Sequence, residues 1–134
     1  MNEVRRRVLV VDDDARVRFV LRGALQGLGD GYEILAAGDS QEALAQVKAQ
    51  PIDLLITDLR LPRMDGMQLT AALGAENPDL QIVWITAYGC HRVYDAGQRL
   101  QITYCLDKPL EIDALRAVVL RILEPECKEV PAKS

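Results

Sequence analysis

Three aspartates in a row, Asp12, Asp13 and Asp14, follow the apolar run Val8-Leu9-Val10-Val11. A fourth, Asp58, follows Leu54-Leu55-Ile56-Thr57. Thr86 closes Ile82-Val83-Trp84-Ile85, and Lys108-Pro109 lies just beyond Ile102–Leu106. If the first and third runs are neighbours, Asp12, Asp13 and Asp58 converge and repel. A hard divalent cation offsets that repulsion, and Mg2+ favours a few carboxylates supplemented by waters and phosphate oxygens. A carboxylate is also a nucleophile that can attack phosphorus and form an acyl phosphate. The added negative charge would then meet the cation and the Lys108 ammonium, while the Thr86 hydroxyl could donate to a phosphoryl oxygen. Lys108-Pro109 is a candidate cis peptide that would aim the ammonium into the pocket. Each residue also has a plain structural reading. An isolated Lys-Pro is a surface turn, and a strand-end threonine suits β-structure. Asp14 suits a helix N-cap, but capping does not require three adjacent acids. Only their convergence at one edge points to chemistry.

That convergence requires elements to deliver it. Residues 7–11 form a short continuous apolar run, as in a strand buried on both faces. Residues 15–28 are helical, with Val17, Val20, Leu21, Ala24 and Leu28 facing inward, and Gly29-Asp30-Gly31 ending the helix. Residues 33–37 form a second strand. Ser40 caps a helix that runs to Gln50 and stops at Pro51. Residues 53–58 are a third strand, and Asp65-Gly66 breaks the chain before a helix over 67–76. Asn77-Pro78-Asp79 is a turn, and 81–86 are a fourth strand. A helix is assigned to 90–100, with Gly97 against it, then a fifth strand to 102–106. Residues 111–123 are helical, with Ile112, Leu115, Val118, Val119 and Ile122 on one stripe. Such strand–helix alternation, with right-handed crossovers, implies an α/β domain with a parallel sheet covered on both faces. Sites in such sheets lie beyond the carboxyl ends of the strands, where these polar residues fall.

The 134 residues suggest one domain, over 1–124, with the proline-containing 125–134 as a tail or the start of a linker. A hydrophobic content of 49% argues against disorder. No apolar run approaches the ~20 residues that span a bilayer, and Arg5-Arg6-Arg7 do not lead into a secretory signal. A cytoplasmic chain without membrane contact is expected. The net charge of −4 and the lack of a basic stripe disfavour nucleic-acid contact. Cys90, Cys105 and Cys127 form no CxxC pair and are expected to be ordinary thiols, with no disulfide framework or zinc site. His91, the single histidine, is expected at the surface.

The motifs Val-Val-Asp-Asp-Asp at 10–14, Thr-Asp-Leu-Arg-Leu-Pro-Arg-Met-Asp-Gly at 57–66, Ile-Thr-Ala-Tyr-Gly at 85–89 and Leu-Asp-Lys-Pro at 106–109 occur in order. Together they resemble the receiver domains of two-component response regulators, chemotaxis-regulator-like, over about 7–123. The resemblance implies a single doubly wound (βα)5 flavodoxin-like domain with a five-stranded parallel sheet in order 2-1-3-4-5. It implies Asp58 as phosphoacceptor. Asp12, Asp13 and Asp58, with the Arg60 backbone carbonyl, are the implied holders of Mg2+ or Mn2+. Lys108, Thr86 and Ala87 are the implied phosphoryl-binding and switch residues. The implied donor is a phosphohistidine on a sensor histidine kinase or histidine phosphotransfer protein. The implied output is a change on the face made by the fourth helix, fifth strand and last helix, a face that also suits homodimerisation. No catalysis is expected beyond the domain's own phosphorylation and dephosphorylation.

One position departs from the pattern. The family usually carries Tyr or Phe three residues before the lysine; here that residue is Cys105, with Tyr104 one position earlier. A one-residue shift in a strand turns a side chain to the other face, so a switch working without an aromatic is expected unless a bulge intervenes. On the first helix Phe19 points away from the core stripe and is a kinase-docking candidate. Ala117 and Leu120 point away on the last helix. A flavodoxin-like carrier would need a Gly/Ser/Thr-rich phosphate cradle after the first strand, where this chain has aspartates. An aspartyl-nucleophile hydrolase would need a cap that is not visible. A degenerate receiver, binding partners without phosphorylation, is the remaining alternative. The proline-containing tail inclines the reading toward a domain cut from a longer regulator.

Overall fold

The computed structural model describes residues 5–124. The 125–134 tail, Pro125 and Cys127 lie outside the described residues. Five strands, β1 (Arg6–Val11), β2 (Tyr32–Ala37), β3 (Leu54–Asp58), β4 (Gln81–Thr86) and β5 (Tyr104–Asp107), form one sheet in the order β2-β1-β3-β4-β5. All pairs are parallel, with Val11 beside Thr57, Asp58 beside Ile85 and Thr86 beside Asp107. The doubly wound flavodoxin-like fold is therefore as expected. Helices α1 (Ala15–Gln26), α2 (Ser40–Ala49), α3 (Gly66–Glu76), α4 (Tyr94–Leu100) and α5 (Ile112–Leu123) cover the two faces.

The continuous apolar runs of the strands are explained by two cores. Val8, Val10, Leu54, Ile56, Val83 and Ile85 pack with Leu21 and Leu25 of α1 and Leu115 and Val119 of α5. Leu9, Val11, Leu55 and Trp84 point the other way, into a core with Ala43 of α2 and Leu69 and Leu73 of α3. Successive strand residues alternate faces, so a sheet covered twice demands apolar side chains at every position. Trp84 is fully buried, and its indole N–H donates to Thr70 Oγ1 at 2.8 Å. The Thr70 hydroxyl donates in turn to the Gly66 carbonyl at 2.7 Å. The polar edge of the largest core side chain is thus satisfied, as burial requires.

Several local expectations need correction. Leu25 is fully buried and Val20 is 52% exposed, so the inward stripe of α1 is Val17, Leu21, Ala24 and Leu25, with Leu28 packing against the same core just beyond the helix, which ends at Gln26 rather than 28. Val20 sits at the stripe's edge, in a shallow apolar depression shared with Pro109 and Leu110. On α5, Ile112 is exposed at the first turn and Leu123 closes the stripe instead. Asp39, not Ser40, caps α2 by accepting from the Glu42 amide at 2.8 Å. Ser40 is buried and donates to the Met64 carbonyl.

The expected helix over 90–100 divides into a 3-10 turn, Cys90–Val93, and the seven-residue α4. Gly97 packs closely there: a Cβ would lie 3.1 Å from the end of the Ile102 side chain and 3.6 Å from the Trp84 ring. Gln101 then ends the helix in the left-handed region at φ 59°. β5 starts two residues later than expected; just before it the Thr103 amide donates to the Ile82 carbonyl and the Thr103 hydroxyl accepts from the Ile82 amide.

The largest correction concerns the cysteines. Cys90 and Cys105 are joined in a disulfide, with Cα atoms 5.9 Å apart. Fifteen residues separate them and no motif links them. Their proximity arises only because the chain after β4 folds back over β5.

Gly66 makes the tightest packing requirement near the strand ends. An added Cβ would collide with the Asp58 carbonyl and lie 2.8 Å from Leu59 Cα, both backbone groups. Overpacking against backbone costs about 1–3 kcal/mol. Gly66→Ala is expected to lower the unfolding free energy by about that amount in urea melts; an unchanged midpoint would show that this backbone yields freely.

Candidate functional site

Asp12 is the first residue beyond β1, and Asp58 is the last of β3. Both are buried, at 2% and 7% exposure. The central strands lie side by side, so their ends bring the two carboxylates to one edge, as the spacing of the motifs requires. Lys108 follows β5 and reaches between them. Its ammonium donates to Asp58 Oδ2 at 2.6 Å and lies 3.6 Å from Asp12 Oδ2. The second distance is too long for a hydrogen bond, and Asp12 Oδ2 has no hydrogen-bond partner. Asp12 Oδ1 accepts from the Asp14 amide at 2.9 Å. Asp58 Oδ1 accepts from the Arg60 amide at 2.9 Å. The backbone thus orients one oxygen of each carboxylate, and the other oxygens face Lys108.

Burial raises the Asp12 carboxyl above its ordinary 3.8; the Asp14 amide and Lys108 oppose this, and the negative charge of Asp58 adds to it. Burial pushes the Lys108 ammonium down, but the hydrogen bond and charge of Asp58, followed by Asp12, outweigh it and hold the amine above 10.5. One ammonium therefore serves two carboxylates and satisfies only one at close range.

The other residues singled out from sequence take distinct places. Asp14 caps α1 by accepting from the Arg16 amide at 2.8 Å. Asp13 is exposed and lines a groove of about 480 Å3 with Arg60, Asp65 and Tyr88. Among the described residues no three His, Cys, Asp or Glu side chains are grouped as a ready-made metal cage. The donor set still suits a hard cation that keeps most of its waters: buried carboxylates, one with an unpartnered oxygen.

Thr86 is buried, its hydroxyl oxygen accepts from the Tyr88 amide at 2.9 Å, and its carbonyl accepts from the Lys108 amide. Ala87 is exposed just beyond it. The Lys108-Pro109 bond is cis, as anticipated. Cys105 packs into the core beside Trp84, whereas Tyr104 is 51% exposed. The β4–β5 register runs without a bulge from Tyr104 to Asp107, so no aromatic from β5 turns toward Thr86. Phe19 is 79% exposed on α1.

Three contributors were not legible in sequence. Arg18 donates to the Asp12 carbonyl at 2.7 Å and steadies the end of β1. The Arg60 guanidinium lies 5.5 Å over the Tyr88 ring, within cation–π range. Asp107 accepts from the Cys90 amide at 2.7 Å. None belongs to a local motif; each depends on how loops meet at the strand ends. Asp65-Gly66, read as a chain break, proves to be a capping box that starts α3 and a close contact on Asp58.

The raised Asp12 carboxyl has a pH consequence. Between 3.8 and its folded value, the native state binds more protons than the unfolded state, so this group makes stability fall as pH rises. In chelator, Asp12→Asn is expected to gain on wild type as pH is raised from about 4 to 7 in paired urea melts. A constant difference would show that Asp12 carries no penalty.

Residues 8–120 match the response regulator receiver domain. The sensor protein EvgS of Escherichia coli (strain K12) is 38% identical over 109 residues, covering 81% of this chain and 9% of that protein. The chain spans about a quarter or less of the length of the curated relatives first matched. A CheY-like receiver domain from Methanospirillum hungatei JF-1 superposes with a TM-score of 0.84 at 24% identity, over 93% of this chain and 98% of that one, a likeness of fold. The response regulator TrrA of Thermotoga maritima, solved in complex with Mg(2+)-BeF, has a TM-score of 0.79 at 30% identity, over 88% and 99% of the two chains. With the sheet order, the strand-end carboxylates and these likenesses in agreement, the chain belongs to the response regulator receiver domain family of two-component signalling.

Proposed function

We propose that this domain accepts a phosphoryl group on Asp58 from a phosphohistidine, in an Mg2+-dependent reaction, and relays the event through its α4–β5–α5 face. The observation that carries the reading is the pairing of Asp58 with Lys108 at 2.6 Å beside the unpartnered buried oxygen of Asp12. Asp12, Asp13, Asp58 and the Arg60 carbonyl would hold the cation. Bound there, it would neutralise charge on the transferring phosphoryl oxygens. The complex of TrrA with Mg(2+)-BeF supports the same use here.

In the transfer, an Asp58 carboxylate oxygen forms a bond to phosphorus as the phosphorus–nitrogen bond to the donor histidine breaks. The nitrogen leaves with the electron pair of that bond. The Arg60 amide keeps the carboxylate oriented, and Lys108 can pass from the carboxylate to a phosphoryl oxygen. Thr86 has its own proton to donate, since its hydroxyl oxygen accepts from the Tyr88 amide. The donor would be a sensor histidine kinase or a histidine phosphotransfer protein, and Phe19, exposed on α1, would enter that contact. The signalling role places the chain among phosphoacceptors that act on no second substrate. A cytoplasmic setting accords with the described residues holding no helix long and apolar enough to cross a membrane. The output pathway would belong to whatever chain or domain reads the α4–β5–α5 face, by contact or by homodimerisation through it.

Acetyl phosphate with Mg2+ should add one phosphoryl mass to the wild-type chain and none to Asp58→Asn. Failure of wild type to take up either phosphoryl or beryllofluoride would favour a phosphorylation-independent interaction module. Mg2+ alone should stabilise wild type by about 2.7 kcal/mol at a hundredfold excess over its dissociation constant, and Asp12→Asn should lose this response. Phe19→Ala should slow transfer from a cognate histidine donor while leaving acetyl phosphate uptake unchanged; equal transfer from the protein donor would remove Phe19 from the interface.

A further inference from the structure

We propose that Cys90 and Cys105 are a reversible dithiol–disulfide site, and that its oxidation holds the loop after β4 against the rearrangement that a phosphoryl group on Asp58 demands. The second clause rests on the phosphoacceptor reading. The site itself rests on the pairing seen in the structure.

The Cα separation of 5.9 Å falls in the usual range for a bridged pair, so the two backbones stand ready to pair without moving. Both cysteines are partly exposed, open to a small thiol or disulfide. Cys90 lies four residues beyond Thr86, at the start of the 3-10 turn. Cys105 sits in β5 directly beside Trp84 of β4. The crosslink therefore encloses the 3-10 turn and all of α4, and ties them to the strand leading into Lys108.

A second tie joins the same segments without sulfur. The Cys90 amide donates to Asp107 Oδ1, the residue before Lys108. This contact keeps the cysteines adjacent after reduction, which favours re-formation over loss of the pair. The loop is also fastened to Thr86, because the Tyr88 amide donates to its hydroxyl oxygen. When Thr86 turns its hydroxyl toward a phosphoryl oxygen, that amide must move, and the three residues to Cys90 move with it. A covalent anchor at Cys90 opposes that motion; with the thiols reduced, only the breakable hydrogen bond to Asp107 remains. Two ligands that favour different arrangements of one segment are coupled, and the coupling is reciprocal.

The co-reactant is a low-molecular-weight or protein disulfide. One cysteine thiolate attacks it, forming a mixed disulfide and releasing one thiol. The second cysteine thiolate then attacks the mixed disulfide and releases the other thiol. The protein loses two electrons and two protons, and one external disulfide becomes two thiols.

The test uses the full chain equilibrated in glutathione buffers of graded redox poise. Differential alkylation and peptide mapping separate Cys90 and Cys105 from Cys127. Fluorescence of Trp84, the single tryptophan and the neighbour of Cys105 in the sheet, follows the same titration. The expected result is a Cys90–Cys105 bond that forms and breaks reversibly, with at least fivefold weaker Mg2+-dependent beryllofluoride binding in the oxidised form. Cys90→Ser should bind as the reduced form does at every poise, and Cys105→Ser serves as a second variant should the first fold poorly. A bond that never forms, resists reduced glutathione throughout, or forms instead with Cys127 overturns the site. Equal beryllofluoride affinity in the two states overturns the coupling. Absence of binding in both states overturns the coupling together with the phosphoacceptor reading, while the alkylation result judges the cysteine pair separately.

Discussion

A buried carboxylate oxygen with no hydrogen bond is the constraint around which this domain is arranged. Asp12 Oδ2 faces a second buried carboxylate and a lysine too distant to bond it. Left to itself, such a group would find water or a proton, since burying an unpaired charge is costly. The backbone on either side is held by burial and hydrogen bonds. β1 is buried along its last four residues, Arg18 grips the Asp12 carbonyl, and the Asp14 amide fixes the partner oxygen. The destabilised group and the rigid sheet are parts of one arrangement, as is common where binding energy is to be released on ligation.

Lys108 is the connecting element. It directly follows the strand at the sheet's edge, yet its ammonium reaches the centre, and its amide is bonded to the Thr86 carbonyl. The ends of β4 and β5 are therefore locked together at Thr86–Lys108 and again at Cys90–Asp107. A change in charge at Asp58 acts on Lys108, whose amide is bonded to the Thr86 carbonyl. The disulfide lies on that route. This places the domain's departure from the common receiver pattern, Cys105 with Tyr104 turned outward, where mechanical coupling between the site and the α4–β5–α5 face would run.

Much of this was legible from the chain alone, for reasons that differ by residue. Continuous apolar runs ending in aspartate, threonine or lysine announce strands buried on both faces with polar groups at one edge, because a parallel sheet imposes that pattern. Asp14 as a cap and the cis Lys108-Pro109 bond follow from local backbone chemistry. The errors arose where local signals were weak or outvoted. Val20 and Leu25 exchange places because the helix's apolar stripe is wider than one row, and contact with α5 decides which edge is covered. Asp39 displaces Ser40 as a cap because Ser40 is needed as a donor to a loop more than twenty residues away.

What the sequence by itself determined is the fold class, the strand order through its resemblance, and the identity of the acidic, hydroxyl and basic groups at the sheet edge. These depend on periodicity and on short motifs, which a linear string carries in full. Which groups touch was decided only in three dimensions. The 2.6 Å contact of Lys108 with Asp58, the orphaned oxygen of Asp12, the Arg60–Tyr88 stack and the Cys90–Cys105 bond each join segments brought together by the winding of the sheet. Asp58 was visible in the sequence as a strand-end carboxylate. That the loop after β4 is tied by a disulfide was not, because a contact between residues fifteen apart through an irregular turn leaves no period to read.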